Sequence, residues 1–138
     1  MSIYASQDDV EPLIKFIADD ASDDLYQRVL DNADSWVNAR LLSNSLHIWT
    51  KDTEKAIPGL LSTAAIYYAA SDIILALYNG EEMPTQYDSY FNKAETMLNA
   101  YIAQMQEELK NTELKGKNVV RHSKSRSYYQ RKGRRPIL

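Results

Sequence analysis

The groups in this sequence with catalytic or ligand potential are few and poorly spaced for chemistry. Asp19, Asp20, Asp23 and Asp24 form the one dense set of hard oxygen ligands. A calcium loop needs a glycine at its sharp turn and a glutamate closing its frame, and neither stands in place. The same aspartates suit the first turns of helices, where the helix dipole favours negative charge. The two histidines, His47 and His122, lie far apart, and neither has the i, i+4 partner of a helical zinc site. His47, beside Trp49, is expected to pack against the domain or bond locally. Gly116-Lys117 is followed by Asn118 and has no phosphate-loop frame before it. No serine is bracketed by glycines as in a nucleophile elbow. Glu107 and Glu108 point to neighbouring faces of a helix and read as solvated. The absence of cysteine removes thiol catalysis, disulfides and cysteine-ligated metal centres. The residues therefore predict a protein that is not an enzyme and that needs no cofactor and no metal.

Charge carries more information. Residues 110–138 hold ten basic side chains against one acid, Glu113, a net of +9. Residues 1–109 hold six basic and eighteen acidic side chains, a net of −12, so the overall −3 and the isoelectric point near 5.4 conceal a strongly dipolar chain. The segment RSYYQRKGRRPIL sets Arg126, Arg131, Lys132, Arg134 and Arg135 around the pairs Tyr128-Tyr129 and Ile137-Leu138, with Arg121 upstream. These ten residues are the candidate partner-binding set. Basic residues with interleaved rings suit nucleic acid. The same composition suits an anionic protein groove, with the grouped apolar pairs as anchors and arginines pairing to carboxylates. A solvated tail that aids solubility is the third reading. Grouping of the apolar pairs favours protein.

The elements that would position these groups are helical. Ser6 is an N-cap with Gln7, Asp8 and Asp9 in the first turn, predicting a short helix from about Gln7 to Ile17, with Pro12 near its start. Ser22 caps a second, Asp23 to Leu42, whose apolar residues Leu25, Val29, Leu30, Ala33, Trp36, Val37 and Leu41 follow a helical stripe. Ser43 to Ala56 reads as a loop. Pro58 opens a third helix running to Tyr78, apolar on most sides and hence central in a bundle, with Asn79-Gly80 as its stop. Met83 to Thr85 turns the chain into a fourth, striped from Tyr87 to Leu109. Past Asn111 the periodicity collapses, and the tail is expected to be largely disordered until it meets a partner. The sequence thus predicts an all-α protein: a small four-helix bundle-like acidic domain over 1–109 and an extended basic C-terminal docking tail over 110–138.

With 44% hydrophobic residues, four glycines and four prolines, the composition is that of an ordinary globular domain with one core. MSIYASQDDVEPLI lacks the pattern of a secretory signal, and Ile57 to Tyr78 is interrupted by Gly59, Ser62, Thr63, Ser71 and Asp72, so neither export nor a membrane span is expected. Of ten tyrosines, seven (Tyr26, Tyr67, Tyr68, Tyr78, Tyr87, Tyr90, Tyr101) fall on predicted helices, where core or core-edge packing is expected, with an exposed fraction able to supply subunit contacts.

The run YASQDDVEPLIKFI, then VLDNADSWVNARLL, then the proline-led IPGLLSTAAIYYAASDIILALY resembles the small helical head-tail connector proteins of tailed phages, also called adaptor or head-completion proteins. The likeness covers about residues 4–78 and rests on texture: a short acidic-capped helix, a second helix ending near a loop, and a proline-initiated, alanine-rich third. It implies a virion protein of the neck, made in the host cytoplasm. Copies would form a homo-oligomeric ring joining the portal to a tail or stopper protein, with packaged DNA nearby and no membrane. The C-terminal segment would dock on the portal or a neighbouring subunit. The alternative class is a small helical nucleic-acid-binding protein that uses the basic tail.

Overall fold

The computed structural model describes residues 2–51, 56–78 and 82–120, with side chains to Thr112. Among them the protein is all helical, without strands. The chain divides after Ala103.

The first predicted helix is broken into pieces. Helix α1 is only Gln7–Val10, followed by a 3-10 helix over Glu11–Ile14 and a second over Ala18–Asp20. Pro12 explains the break: it lacks an N–H and its ring hinders the preceding turn, so an α-helix does not run through it. Pro12 falls in the first turn of the 3-10 piece, where no donor is needed. The pieces still bury Val10, Ile14 and Ile17.

Helix α2, Asp23–Ser43, starts where the sequence places it. The Ser22 hydroxyl accepts from the Leu25 N–H at 3.1 Å, and Asp23 and Asp24 occupy the first turn. It ends in a Schellman motif: Leu46 N–H donates to Leu41 C=O at 2.9 Å and Ser45 N–H to Leu42 C=O at 3.0 Å. Ser45 takes φ 58°, the left-handed conformation that this cap requires. Leu41 and Leu46, both buried, make the apolar contact that accompanies it.

Helix α3, Gly59–Tyr78, is the packing partner of α2. Ala64, Ala65, Ala69 and Ala70 are fully buried, small side chains suited to close packing of α3 against α2. Ile73, Ile74 and Leu61 fill the remaining volume without exposure. By length and composition alone α3 could cross a membrane, with a mean hydropathy of 1.6, and among the described residues it is the only such helix. Its buried alanine and isoleucine stripe accounts for that apolarity.

Helix α4 spans Thr85–Val120. Through Ile102 it presents a narrow buried stripe of Ala94, Leu98, Tyr101 and Ile102, at helical intervals of four, three and one. Rings make much of its contact with α3: Tyr67 and Tyr90 lie 5.6 Å apart and Tyr68 and Phe91 6.4 Å, centroid to centroid. Polar ties add to this. Tyr90 Oη donates to Leu13 C=O at 2.8 Å, and Arg40 Nη1 lies 3.0 Å from Glu95 Oε2. The helix also runs on to Val120, eleven residues past Leu109, where the apolar stripe ends. Leu109 itself is exposed. Lys110, Glu113, Leu114, Lys115 and Lys117 are good helix formers, and they carry the conformation beyond the stripe that packing requires. Gly116 is tolerated within it.

Candidate interaction surface

The ten candidate partner-binding residues, Arg121, Arg126, Tyr128, Tyr129, Arg131, Lys132, Arg134, Arg135, Ile137 and Leu138, lie outside the described residues. Two features that the sequence did not point to stand out in the rest: an aromatic surface, and a polar clamp that sets the N-terminal segment.

Three helices build the aromatic surface from residues four apart. Helix α2 contributes Trp36 flanked by Asn32 and Arg40; α3 contributes Tyr68 and Asp72; α4 contributes Tyr87, Phe91, Glu95 and Asn99. The rings form a ladder. Trp36 stacks on Tyr68 at 4.3 Å with planes 13° apart, Tyr68 lies 6.4 Å from Phe91, and Phe91 stacks on Tyr87 at 6.3 Å and 12°. All four are half-buried, so each ring is held by packing yet keeps area for a partner. Leu75, 44% exposed, stands one turn beyond Asp72 on the same face of α3.

Polar pairs rim the ladder on two sides. Asn32 Nδ2 donates to Asp72 Oδ2 at 3.5 Å; on the other side Arg40 pairs with Glu95 and donates to Asn99 Oδ1. Burial pushes the Asp72 carboxyl above the usual carboxylate range, against the lowering effects of Asn32 and Arg28. Burial likewise raises Tyr68, helped by the negative charges of Asp72 and Glu95. An aromatic centre with a polar rim is an arrangement that protein–protein interfaces share.

The clamp centres on Asp34 and Tyr4, both buried. Asp34 carries its carboxylate on the apolar stripe of α2, where it accepts from the Ile3 N–H at 2.9 Å and the Tyr4 N–H at 3.2 Å. One turn on, Asn38 closes a second loop of bonds. Tyr4 Oη donates to Asn38 Oδ1, Asn38 Nδ2 donates to Trp49 C=O at 3.4 Å, and the Trp49 N–H donates back to Tyr4 Oη at 3.3 Å. Burial pushes the Tyr4 phenol up to about 12 and holds Asp34 above its ordinary range despite its two backbone donors. Residues 34 and 38 thus tie the N-terminal segment and the loop after α2 to one helix face. His47 lies edge-on to Trp49 at 4.8 Å, the local packing expected for it.

The acidic cluster is divided by the fold. Asp19 and Asp20 sit on the second 3-10 helix, and Asp23 and Asp24 in the first turn of α2. Among the described residues no group of three or more acids or histidines could hold a metal ion. Compared with protein-family models, with curated proteins and with solved structures, the chain gives no match.

Proposed function

We propose that this protein is a structural subunit that assembles through surfaces, and specifically a ring-forming connector of the tailed-phage neck. The observation that carries the assembly reading is the half-exposed ladder Trp36–Tyr68–Phe91–Tyr87 with its polar rim. Four contiguous half-buried rings make an exposed aromatic patch of the kind that marks interaction sites. The finer connector reading is supported by the order of sequence elements over residues 4–78 and by the split of charge between residues 1–109 and 110–138.

A closed ring joins one face of each subunit to a different face of the next. The aromatic surface would serve as one of those faces. An acidic body repels the phosphates of DNA in a channel and lets it slide, while the basic C-terminal segment holds a neighbouring subunit or the portal. The basic segment with Tyr128-Tyr129 also supports a second reading, a nucleic-acid-binding helical protein, which predicts binding that weakens steeply with salt. Genetic complementation separates the two. Ending the chain after Val120 should leave unjoined heads and tails if the connector reading is right. Normal particles made by that truncated chain refute it.

A further inference from the structure

The rings where α3 meets α4 lie on two flanks. Tyr67 and Tyr68 are neighbours on α3, as Tyr90 and Phe91 are on α4, and successive residues of a helix point about 100° apart. Tyr68 and Phe91 belong to the ladder, on the flank where Trp36 of α2 stacks. Tyr67 and Tyr90 pair on the other flank, where the Tyr90 hydroxyl donates to Leu13 C=O in the first 3-10 helix. Lys93 Nζ stands over the Tyr67 ring there, 5.3 Å from its centroid. Phe16, three residues after Leu13, is 47% exposed, the most exposed ring among the described residues. Both flanks fall within the compact unit Met1–Ala103.

Charge also separates them. Residues 1–109 carry six basic side chains in all, and two of these, Lys15 and Lys93, adjoin Phe16 in sequence and Tyr67 in space. Both lysines are exposed, and among the described residues neither forms an ion pair. Glu11, the acid of the same segment, lies close enough to Tyr26 of α2 for its charge to raise that phenol. The ladder flank carries Asp72 and Glu95 in its rim, together with the exposed Asp88, which stands seven residues before Glu95 and hence on the same side of α4. Arg40 pairs with Glu95 and Arg28 acts on Asp72, whereas Asp88 has no ion-pair partner among the described residues.

One flank thus offers an exposed ring with unpaired lysines, and the other a bed of half-buried rings with an unpaired carboxylate. We propose that the flank of Phe16, Tyr67, Tyr90 and Lys93 docks on the Trp36–Tyr68–Phe91–Tyr87 ladder of a second copy, a contact that rests on the assembly reading and deepens it by naming the face that meets the ladder. Phe16 packs against the ladder rings, which removes apolar area of both copies from water, and a lysine faces Asp88. The two faces differ, so the contact is heterologous and repeats from copy to copy, as a ring requires.

Sedimentation velocity of the full-length protein over a range of loadings tests this. Lys93→Glu and Asp88→Lys should each weaken self-association about tenfold, because each sets like charges against one another across the contact. The two substitutions change net charge in opposite directions, so a general charge effect does not lower both. An equimolar mixture of the two variants should recover association close to that of the wild type, since the reversed charges then meet. Circular dichroism checks the helices of each variant, and Lys15→Glu takes the place of Lys93→Glu if losing the contact with Tyr67 disturbs the fold. Association left unchanged by either substitution overturns the proposed contact, as does a mixture that associates no better than its components, and in both cases assembly itself still stands. A wild-type protein that stays monomeric at every loading overturns the assembly reading, and this contact with it.

Discussion

Replacing Asp34 by alanine should loosen the N-terminal segment at a cost that follows from two bonds. Its carboxylate accepts from the Ile3 N–H at 2.9 Å and the Tyr4 N–H at 3.2 Å. Tyr4 is 4% exposed, so its amide, left without an acceptor, costs about 1–3 kcal/mol. Ile3 is half-buried and its amide can recover water, so its loss is nearer the net value of one hydrogen bond, about 0.5–1.5 kcal/mol. Relief of the buried carboxylate's desolvation offsets part of this, leaving about 2–3 kcal/mol. For a domain of this size that corresponds to a fall in Tm of about 7–14 °C. Urea unfolding followed by far-UV circular dichroism measures the difference, with Asp31→Ala as a control on the exposed side of the same helix; amide exchange at Tyr4 should quicken in step. A change below about 0.5 kcal/mol, with the Tyr4 amide still protected, refutes the clamp as the device that sets the segment.

Four further outcomes are expected. Asp34 and Asp72 both have folded pKa values raised above the ordinary 3.8, so the native state holds their protons more tightly than the unfolded chain. Their contribution to stability is therefore complete below that value and is lost as pH rises through the raised ones; denaturant titrations from about pH 4 to about pH 7 should show this component, reduced in Asp72→Asn. Tyr26→Phe removes a buried unpartnered hydroxyl and should stabilise the isolated protein by about 1 kcal/mol in urea melts, while a loss of that size would show that the hydroxyl is already bonded. Ser45→Gly should add about 1 kcal/mol, since glycine occupies the left-handed cap at φ 58° without a Cβ penalty. Trp36→Ala should weaken self-association in sedimentation experiments about tenfold or more and cost about 1–3 kcal/mol of monomer stability; association unchanged at equal loading contradicts the aromatic surface as an interface.

What the sequence revealed was mostly what periodicity encodes. The all-α, bundle-like class was legible, and the limits of α2 and α3 agree with their caps and stripes to within a residue, because Ser22 and Pro58 mark real starts. The first helix was not, since a capped acidic turn predicts entry into a helix but Pro12 stops it after one turn. The end of α4 was missed for the opposite reason: hydrophobic periodicity reports packing, and the helix outlasts its packed face. The tyrosines on helices were read as core or core-edge residues, and Tyr26 and Tyr101 are buried while Tyr67, Tyr68, Tyr78, Tyr87 and Tyr90 are half-buried. Their assembly into one ladder with Trp36 depends on three helices meeting, which no single stripe encodes. The clamp left one trace in the sequence: Asp34 sits four residues after Leu30 and three before Val37, a charge on an apolar stripe. Tyr4 left none, lying ahead of the first helix with no pattern around it.

Quantitative mass spectrometry of purified tailed particles from the source tests the central claim most directly. The account predicts this chain in finished particles at about the abundance of the portal protein, one ring for each particle. Its absence from particles whose heads and tails are joined would contradict the account.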